Sequence, residues 1–361
     1  MPAVFHPRII FVEEAVSRSP LAQRVLQQFP DVPVEPAEAD ALLSGAAGRT
    51  RDLRGAILLA KQRGPFLRLC PGTKHHLCCL YHNLDVVAGC DLDCSYCVLQ
   101  GYLNTPLITV YCNWDDLFAE LEKKFSSLNS FFRVGTGELS DSLTFEPFLN
   151  LAPELVSFFA ERRNAVLELK SKNVFVENLL GLRHNRRTIV SWSMNAEAVY
   201  QSDEGTSASP QERLQAAQKV QEAGYRLGFH FDPMIWYPKW EEGYREIVDQ
   251  IFRVIRPQNI AWISLGALRY PAAFDDVIRK NHPQSRIYLG ELLPGIDKKL
   301  RYFKPLRIEM FAKMYSWIRS YTTEAPVYLC MESAEVWRRS FGWAPRSSAQ
   351  LKRLLDDRVR E

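Results

Sequence analysis

Cys90-Asp91-Leu92-Asp93-Cys94-Ser95-Tyr96-Cys97 is the stretch from which the rest of this 361-residue chain is read. Three residues separate the first two cysteines and two separate the second pair. The loop follows a short apolar run, 84–88, that reads as a strand. Three thiolates on one loop supply three corners of a metal site. A structural zinc closes a tetrahedron with a fourth ligand, and a zinc knuckle here would draw it from Cys112, His82 or Cys79. Three ligands alone leave one metal position open, and an open position means chemistry at the metal.

Downstream of that loop the sequence becomes regular. Residues 114–125 place Leu117, Phe118, Leu121 and Phe125 at helical spacing. A strand is expected over 131–135, a helix over 148–161 and a strand over 165–170. A helix over 174–182 and a strand over 188–193 follow. Ser209, with Pro210 behind it and Glu212 three residues on, marks a capped helix start. A strand over 225–231, a helix over 240–255 and a strand over 259–264 complete six βα-like units. Residues 327–330 add a late strand. Such alternation predicts parallel strands with crossover helices, here a partial (β/α)6 barrel of the TIM type with its site at the C-terminal strand ends. The expected organisation is an N-terminal extension over 1–80, the barrel over 81–265 and a C-terminal α/β extension over 266–361.

Composition sets the outer limits. Hydrophobic residues make up 47% and charged residues 24%, which excludes a disordered or fibrous chain. The net charge of +3 excludes a polycation, so nucleic-acid contacts have to come from local patches. No apolar run approaches the ~20 residues that span a bilayer, and the first sixteen residues, with Glu13 and Glu14, lack a signal-peptide pattern. A cytoplasmic protein without a membrane partner is expected. Seven of the eight cysteines fall between residues 70 and 112, a clustering that points to metal or redox chemistry rather than a disulfide framework.

The cysteine spacing, with Tyr96 just before the last cysteine, resembles the radical S-adenosylmethionine (SAM) superfamily. That resemblance implies a [4Fe–4S] cluster held by Cys90, Cys94 and Cys97, with SAM chelating the fourth iron. It further implies reductive cleavage to a 5′-deoxyadenosyl radical, with an electron from a flavodoxin or ferredoxin. The cluster carries the difficult chemistry and the protein orients it. Gly135-Thr136-Gly137-Glu138, closing the next strand, resembles the superfamily's glycine-rich segment. Glycines admit close backbone approach, and a carboxylate accepts hydrogen bonds from the SAM ammonium.

Within the superfamily, several segments resemble spore photoproduct lyase, a DNA-repair enzyme. They are residues 94–100, 193–196, 204–207, 223–229 and 240–244, together with Arg8-Ile9-Ile10-Phe11-Val12-Glu13 as a first strand. By that likeness Lys172 and Ser193 contact SAM, with Asn195 and Tyr96 close by. Two departures stand out. The family returns a hydrogen atom from a cysteine after the second strand, beside a tyrosine pair. Here residues 135–141 contain no cysteine, Glu138 occupies its place, and Val98 stands where the lyase has a tyrosine.

Three further features need a place. Cys70, His75, His76, Cys78, Cys79 and His82 form a dense thiol–imidazole segment. It reads as an accessory metal site with Cys112 or Cys330, as a replacement thiol donor, or as buried small hydrophobes. Cys330, ending the late strand, is expected at the barrel mouth. Residues 279–307 hold eight basic and two acidic residues with Tyr288, Tyr302 and Phe303 among them, a pattern that suits phosphate contact and base stacking or a solvated face. The basic stretch 49–68 reads as a solvated face. The function expected is a radical SAM lyase acting on damaged DNA or another nucleic acid. The alternatives are the same scaffold on another substrate, or a non-catalytic iron–sulfur or zinc nucleic-acid-binding protein.

Overall fold

The strands that build the centre of the molecule are buried and largely apolar because both faces are covered. Ile260–Ala267 is buried along its whole length, and Thr188–Ser193 is buried except at its last residue. In the computed structural model, which describes residues 3–44, 52–126 and 130–360, sixteen strands are present. In chain order they are β1 (Ile9–Val12), β2 (Val34–Pro36), β3 (Ala56–Ala60), β4 (Leu67–Leu69), β5 (His82–Leu84), β6 (Val87–Ala88), β7 (Ile108–Tyr111) and β8 (Phe132–Gly135). They continue as β9 (Ala165–Ser171), β10 (Thr188–Ser193), β11 (Arg226–Met234), β12 (Ile260–Ala267), β13 (Arg269–Pro271), β14 (Leu293–Pro294), β15 (Lys299–Arg301) and β16 (Val327–Leu329).

The main sheet runs β16-β12-β11-β10-β9-β8-β5-β4, and every pair in it is parallel except the edge pair β4–β5. Six parallel strands therefore follow one another in chain order, as expected of a partial barrel, and β16 extends them. Crossover helices cover the sheet. Trp114–Phe125 buries Leu117, Leu121 and Phe125 and carries Asp115 and Asp116 in its first turn, Lys123 and Lys124 in its last, the order that suits the helix dipole. Pro210–Glu222 begins with the expected capping box: Ser209 Oγ accepts from Glu212 N, and Glu212 accepts from Ser209 N.

A second sheet, β2-β1-β3-β7-β6, occupies the N-terminal region. The strand expected over 84–88 is in fact two, because Asp85 is buried between them and bonds Arg68. His82–Leu84 pairs with β8, whereas Val87–Ala88 turns away to pair with β7 in the N-terminal sheet. The stretch 31–48, whose Ala, Pro, Glu and Asp content reads as a loop or surface helix, holds both β2 and the short helix Ala39–Leu43; residues 45–51 lie outside the described residues. The helix expected over 148–161 breaks at Asn150, whose φ of 48° is left-handed. Buried Glu146 there accepts from the Leu151 and Ala152 amides and starts a new helix, Ala152–Ala160. The helix expected over 174–182 is a loop with one 3-10 turn, Glu177–Leu179. Asn173 O is taken by the Trp192 indole and Asn178 by Glu146, so the segment spends its polar groups on neighbours.

Candidate active site

The 90–97 loop leaves β6 at the mouth of the main sheet, and contacts from residues far away in sequence hold its shape. Ser95 N donates to Asp203 O, Thr206 N to Leu92 O at 3.2 Å, and Thr206 Oγ1 to Asp91 O. Gly205, with φ of +54°, lies so close to Leu92 O that a Cβ would collide with it. The Glu204–Ser207 segment is thus a clamp on the cysteine loop. From the other side, the Tyr288 hydroxyl donates to Ser95 O at 3.0 Å, and Ser285 and Ser95 share Asp203. Tyr288 and Tyr302 are buried, while Arg279, Arg301 and Arg307 pair with Asp275, Asp297 and Glu332. Much of the basic–aromatic segment 279–307 therefore supports the loop, leaving Phe303, Lys280, Arg286, Lys298 and Lys304 exposed.

Five of the residues singled out for SAM binding or for the cluster come together here. Lys172 Nζ, just beyond β9, lies 2.7 Å from the Tyr96 hydroxyl and 3.6 Å from Cys94 Sγ. Asn195, just beyond β10, donates to Tyr96 and to Glu204 Oε1 at 3.0 Å and accepts from the Tyr244 hydroxyl. Glu204 and Arg213, whose side chains are 0% exposed, pair directly at the centre of this group. Burial works against the Glu204 charge, but Arg213 and Lys172 outweigh it and hold the carboxyl at about 2. Ser193, half-buried at the end of β10, joins through its carbonyl, which accepts from Arg213 at 2.8 Å.

Gly135, Gly137 and Glu138 close the adjacent strand. A Cβ on Gly135 would fall on the Tyr81 hydroxyl, and one on Gly137 would press on Lys170, so both glycines make room for neighbouring side chains. Glu138 is exposed, and no cation among the described residues pairs with it. The residue that joins this strand to the next is Asp141, which sequence reading missed. It accepts from Leu143 N, Thr144 N and Ser171 Oγ on one oxygen and from Lys172 N at 2.7 Å on the other. A second missed group lies inside the barrel. Glu168 of β9 accepts from Tyr81, from Ser191, from His230 Nε2 at 2.8 Å and from Trp262 Nε1 at 2.8 Å. Burial opposes its charge, but His230 and these donors hold it at about 2.

Cys330 is at the mouth, as expected of its strand end. Its sulfur accepts from Arg269 Nη2 at 3.5 Å beside Asp232, and burial followed by the Asp232 charge raises its pKa, keeping the thiol protonated. Cys112 is elsewhere, buried beyond β7 beside Ser19. His82 packs its ring on Phe132. Cys79 is tied through its carbonyl to Arg133.

The residues fit the cofactors that their spacing implies. Cys94 is buried and Cys90 and Cys97 half-buried. Burial raises all three thiols, Cys94 to about 12. A metal centre supplies the positive charge that converts such thiols to thiolates, and Lys172, with Arg213 behind it, supplies protein cations near Cys94. A sheet of parallel strands with a three-thiol loop at its mouth defines a radical SAM enzyme of the partial-barrel type.

Comparisons narrow that class. A family model for spore photoproduct lyase matches residues 5–302. Spore photoproduct lyase of Geobacillus sp. strain Y412MC61 is 26% identical over 297 residues, covering 80% of this chain and 86% of the relative. That of Bacillus subtilis strain 168 is 25% identical over 298 residues, covering 80% and 85%. Among solved structures, a spore photoproduct lyase with dinucleoside spore photoproduct superposes with a TM-score of 0.80 at 23% identity, covering 91% of this chain and 100% of that one. A variant with AdoMet and the same dinucleoside gives 0.78 at 22%, covering 90% and 99%. At that identity the structures speak for the fold. The chain belongs to the spore photoproduct lyase family.

Proposed function

We propose that this protein is a radical SAM lyase that acts on a thymine photoproduct in DNA. Cys90, Cys94 and Cys97 hold the [4Fe–4S] cluster, and Tyr96, Gly135, Gly137, Glu138, Lys172, Ser193 and Asn195 form the SAM side of the site. Residues 81–265 carry the chemistry, 1–80 support it and 266–361 face the substrate. When bound, the cluster and SAM supply a 5′-deoxyadenosyl radical, with the electron delivered by a flavodoxin or ferredoxin. The chain's own residues do the rest. Glu204 and Arg213 fix Tyr96 and Asn195, Lys172 balances the thiolate charge at Cys94, and the exposed Glu138 carboxylate accepts from the SAM ammonium. Cys330, protonated beside Asp232 and Arg269 just beyond β16, would give a hydrogen atom to the product radical, and the thiyl radical left behind would be restored to the thiol by one electron from the same flavodoxin or ferredoxin and one proton from solvent.

The observation that carries this reading is the position of Lys172, bonded to both Cys94 and Tyr96 across the clamped loop. Anaerobic incubation of the reconstituted enzyme with SAM, dithionite and dinucleoside spore photoproduct tests it. The expected result is 5′-deoxyadenosine together with the repaired dithymidine. Formation of 5′-deoxyadenosine with the photoproduct recovered intact would move the chain to a different substrate.

A further inference from the structure

Side chains alternate along each strand, so the inner face of the main sheet carries its polar groups in layers. Glu168, Ser191, His230 and Ser264 form one layer, joined by hydrogen bonds. Two residues further towards the mouth, the same alternation places Lys170, Ser193, Asp232 and Gly266 on that face. Two glycines keep this upper layer open. A Cβ on Gly137 would stand 3.0 Å from Lys170 Cβ, and one on Gly266 would stand 2.5 Å from Asp232 Oδ1. Into the space over Gly266 reaches Arg269. It grips Asp232 through both oxygens, Nη1 to Oδ1 at 2.9 Å and Nη2 to Oδ2 at 3.0 Å.

A second lysine arrives from the C-terminal region. β15 pairs with β13, Lys299 opposite Pro271, and this sets Lys299 Nζ 3.6 Å from Met331 Sδ. Arg269 Nε lies 3.4 Å from the same sulfur. A thioether is a weak acceptor without charge, so two cations meet on a group that cannot neutralise either. The carboxylates nearby are already matched: Asp232 by Arg269, Asp297 by Arg301 and Glu332 by Arg307. Among the described residues, no carboxylate forms an ion pair with Lys170 or with Lys299. Both lysines are half-buried. Burial and then the Arg269 charge lower the Lys299 pKa, and Asp297, held by Arg301, offsets only part of that. The mouth therefore carries two positive charges that the chain leaves without counter-ions.

We propose that Lys170 and Lys299, one on the β9 side and one on the β16 side of the Asp232–Arg269 pair, form a phosphate subsite that holds the phosphodiester bridging the two thymidines of the lesion. The proposal rests on the lyase reading above and adds what anchors the substrate. A phosphodiester has one negative charge shared by two free oxygens, so each ammonium has an oxygen to reach. Such charge-assisted hydrogen bonds are the strong ones, and lysine serves a phosphate as a point charge. Asp232 meanwhile fixes Arg269 and takes up its charge, which leaves the binding to the lysines. Cys330 Sγ lies 3.5 Å from Arg269 Nη2, so a lesion anchored at this subsite has the thiol beside it.

The test is equilibrium dialysis of cluster-loaded protein with SAM and no reductant. It compares the photoproduct dinucleotide, which has the phosphodiester, with the dinucleoside, which lacks it. Wild type should prefer the dinucleotide by ~10-fold, the worth of a hydrogen bond to a charged group. Lys170→Gln and Lys299→Gln should each remove most of that preference while affinity for the dinucleoside, affinity for SAM and iron content stay as in wild type. Lys124→Gln is the control. It deletes an exposed cation in the last turn of the Trp114–Phe125 helix, which leads to the start of β8 at the other end of the sheet, and should leave the preference intact. Equal wild-type affinity for the two ligands overturns the subsite, and the lyase reading stands if both are repaired. A preference that Lys124→Gln reduces as much as Lys299→Gln overturns it as a diffuse charge effect. Weakened SAM binding in the lysine variants, with the preference kept, overturns it by giving these cations to SAM. Binding of neither ligand removes the lyase reading and the subsite together. Should one lysine variant misfold, the other decides with the wild-type comparison.

Discussion

Replacing Glu204 by Gln removes the anion that lies between buried Arg213 and half-buried Lys172. The carboxylate and the Arg213 guanidinium are both fully buried, and Lys172 Nζ lies 3.9 Å away. The Glu204 pKa falls from 4.5 to about 2 because Arg213 and Lys172 outweigh the cost of burial. At ~1.4 kcal/mol per unit that is about 3 kcal/mol at neutral pH. Breaking a buried pair by deleting one partner costs ~3–5 kcal/mol in other proteins, in agreement. With an unfolding entropy of ~2.1 cal/mol/K per residue, the loss lowers Tm by roughly 4–7 °C for a chain of this length. The folded-state pKa is depressed, so the contribution is complete above the usual carboxylate range. It fades only as pH falls from about 4.5 towards about 2. Circular-dichroism melts of metal-free wild type and Glu204→Gln should therefore differ by the same amount at pH 6, 7 and 8. A difference below ~1 °C, or one that opens only above pH 6, refutes the reasoning.

Three further substitutions probe separate parts of the site. Glu138→Gln should weaken SAM binding several-fold while leaving iron content intact; equilibrium dialysis with labelled SAM checks it, and unchanged affinity removes Glu138 from the site. Gly205→Ala places a methyl group against Leu92 O at a left-handed position, so the cysteine loop must shift. Reconstituted iron should fall below half of wild type while the metal-free fold keeps its far-ultraviolet spectrum. Cys330→Ala should change the solvent deuterium incorporated into product, because the Cys330 thiol proton exchanges with water; wild-type turnover with unchanged incorporation removes it as the hydrogen source.

The parts of the fold written locally were legible in the sequence. Thr188–Ser193 and Trp114–Phe125 follow from apolar runs and helical spacing, and Ser209 with Glu212 from capping chemistry. The parts set by distant partners were not. Nothing near Asp85 tells that Arg68 will bury it and split a strand. The three-cysteine loop was legible because metal ligands share a short segment. Its clamp was not, although Glu204 opens the 204–207 segment of the family resemblance, because its role depends on Arg213 one helix further on. Glu168 and His230 carried a faint signal, each a polar residue flanked on both sides by apolar ones within a strand. Only the pairing and curl of the folded sheet show that they meet, with Trp262, on its inner face.

Electron paramagnetic resonance of the reduced, reconstituted protein, with and without SAM, tests the central claim most directly. The account predicts a [4Fe–4S] signal that changes when SAM is added and vanishes in the Cys90→Ala, Cys94→Ala, Cys97→Ala triple variant. A signal indifferent to SAM, or one that survives in the triple variant with full iron content, would contradict it.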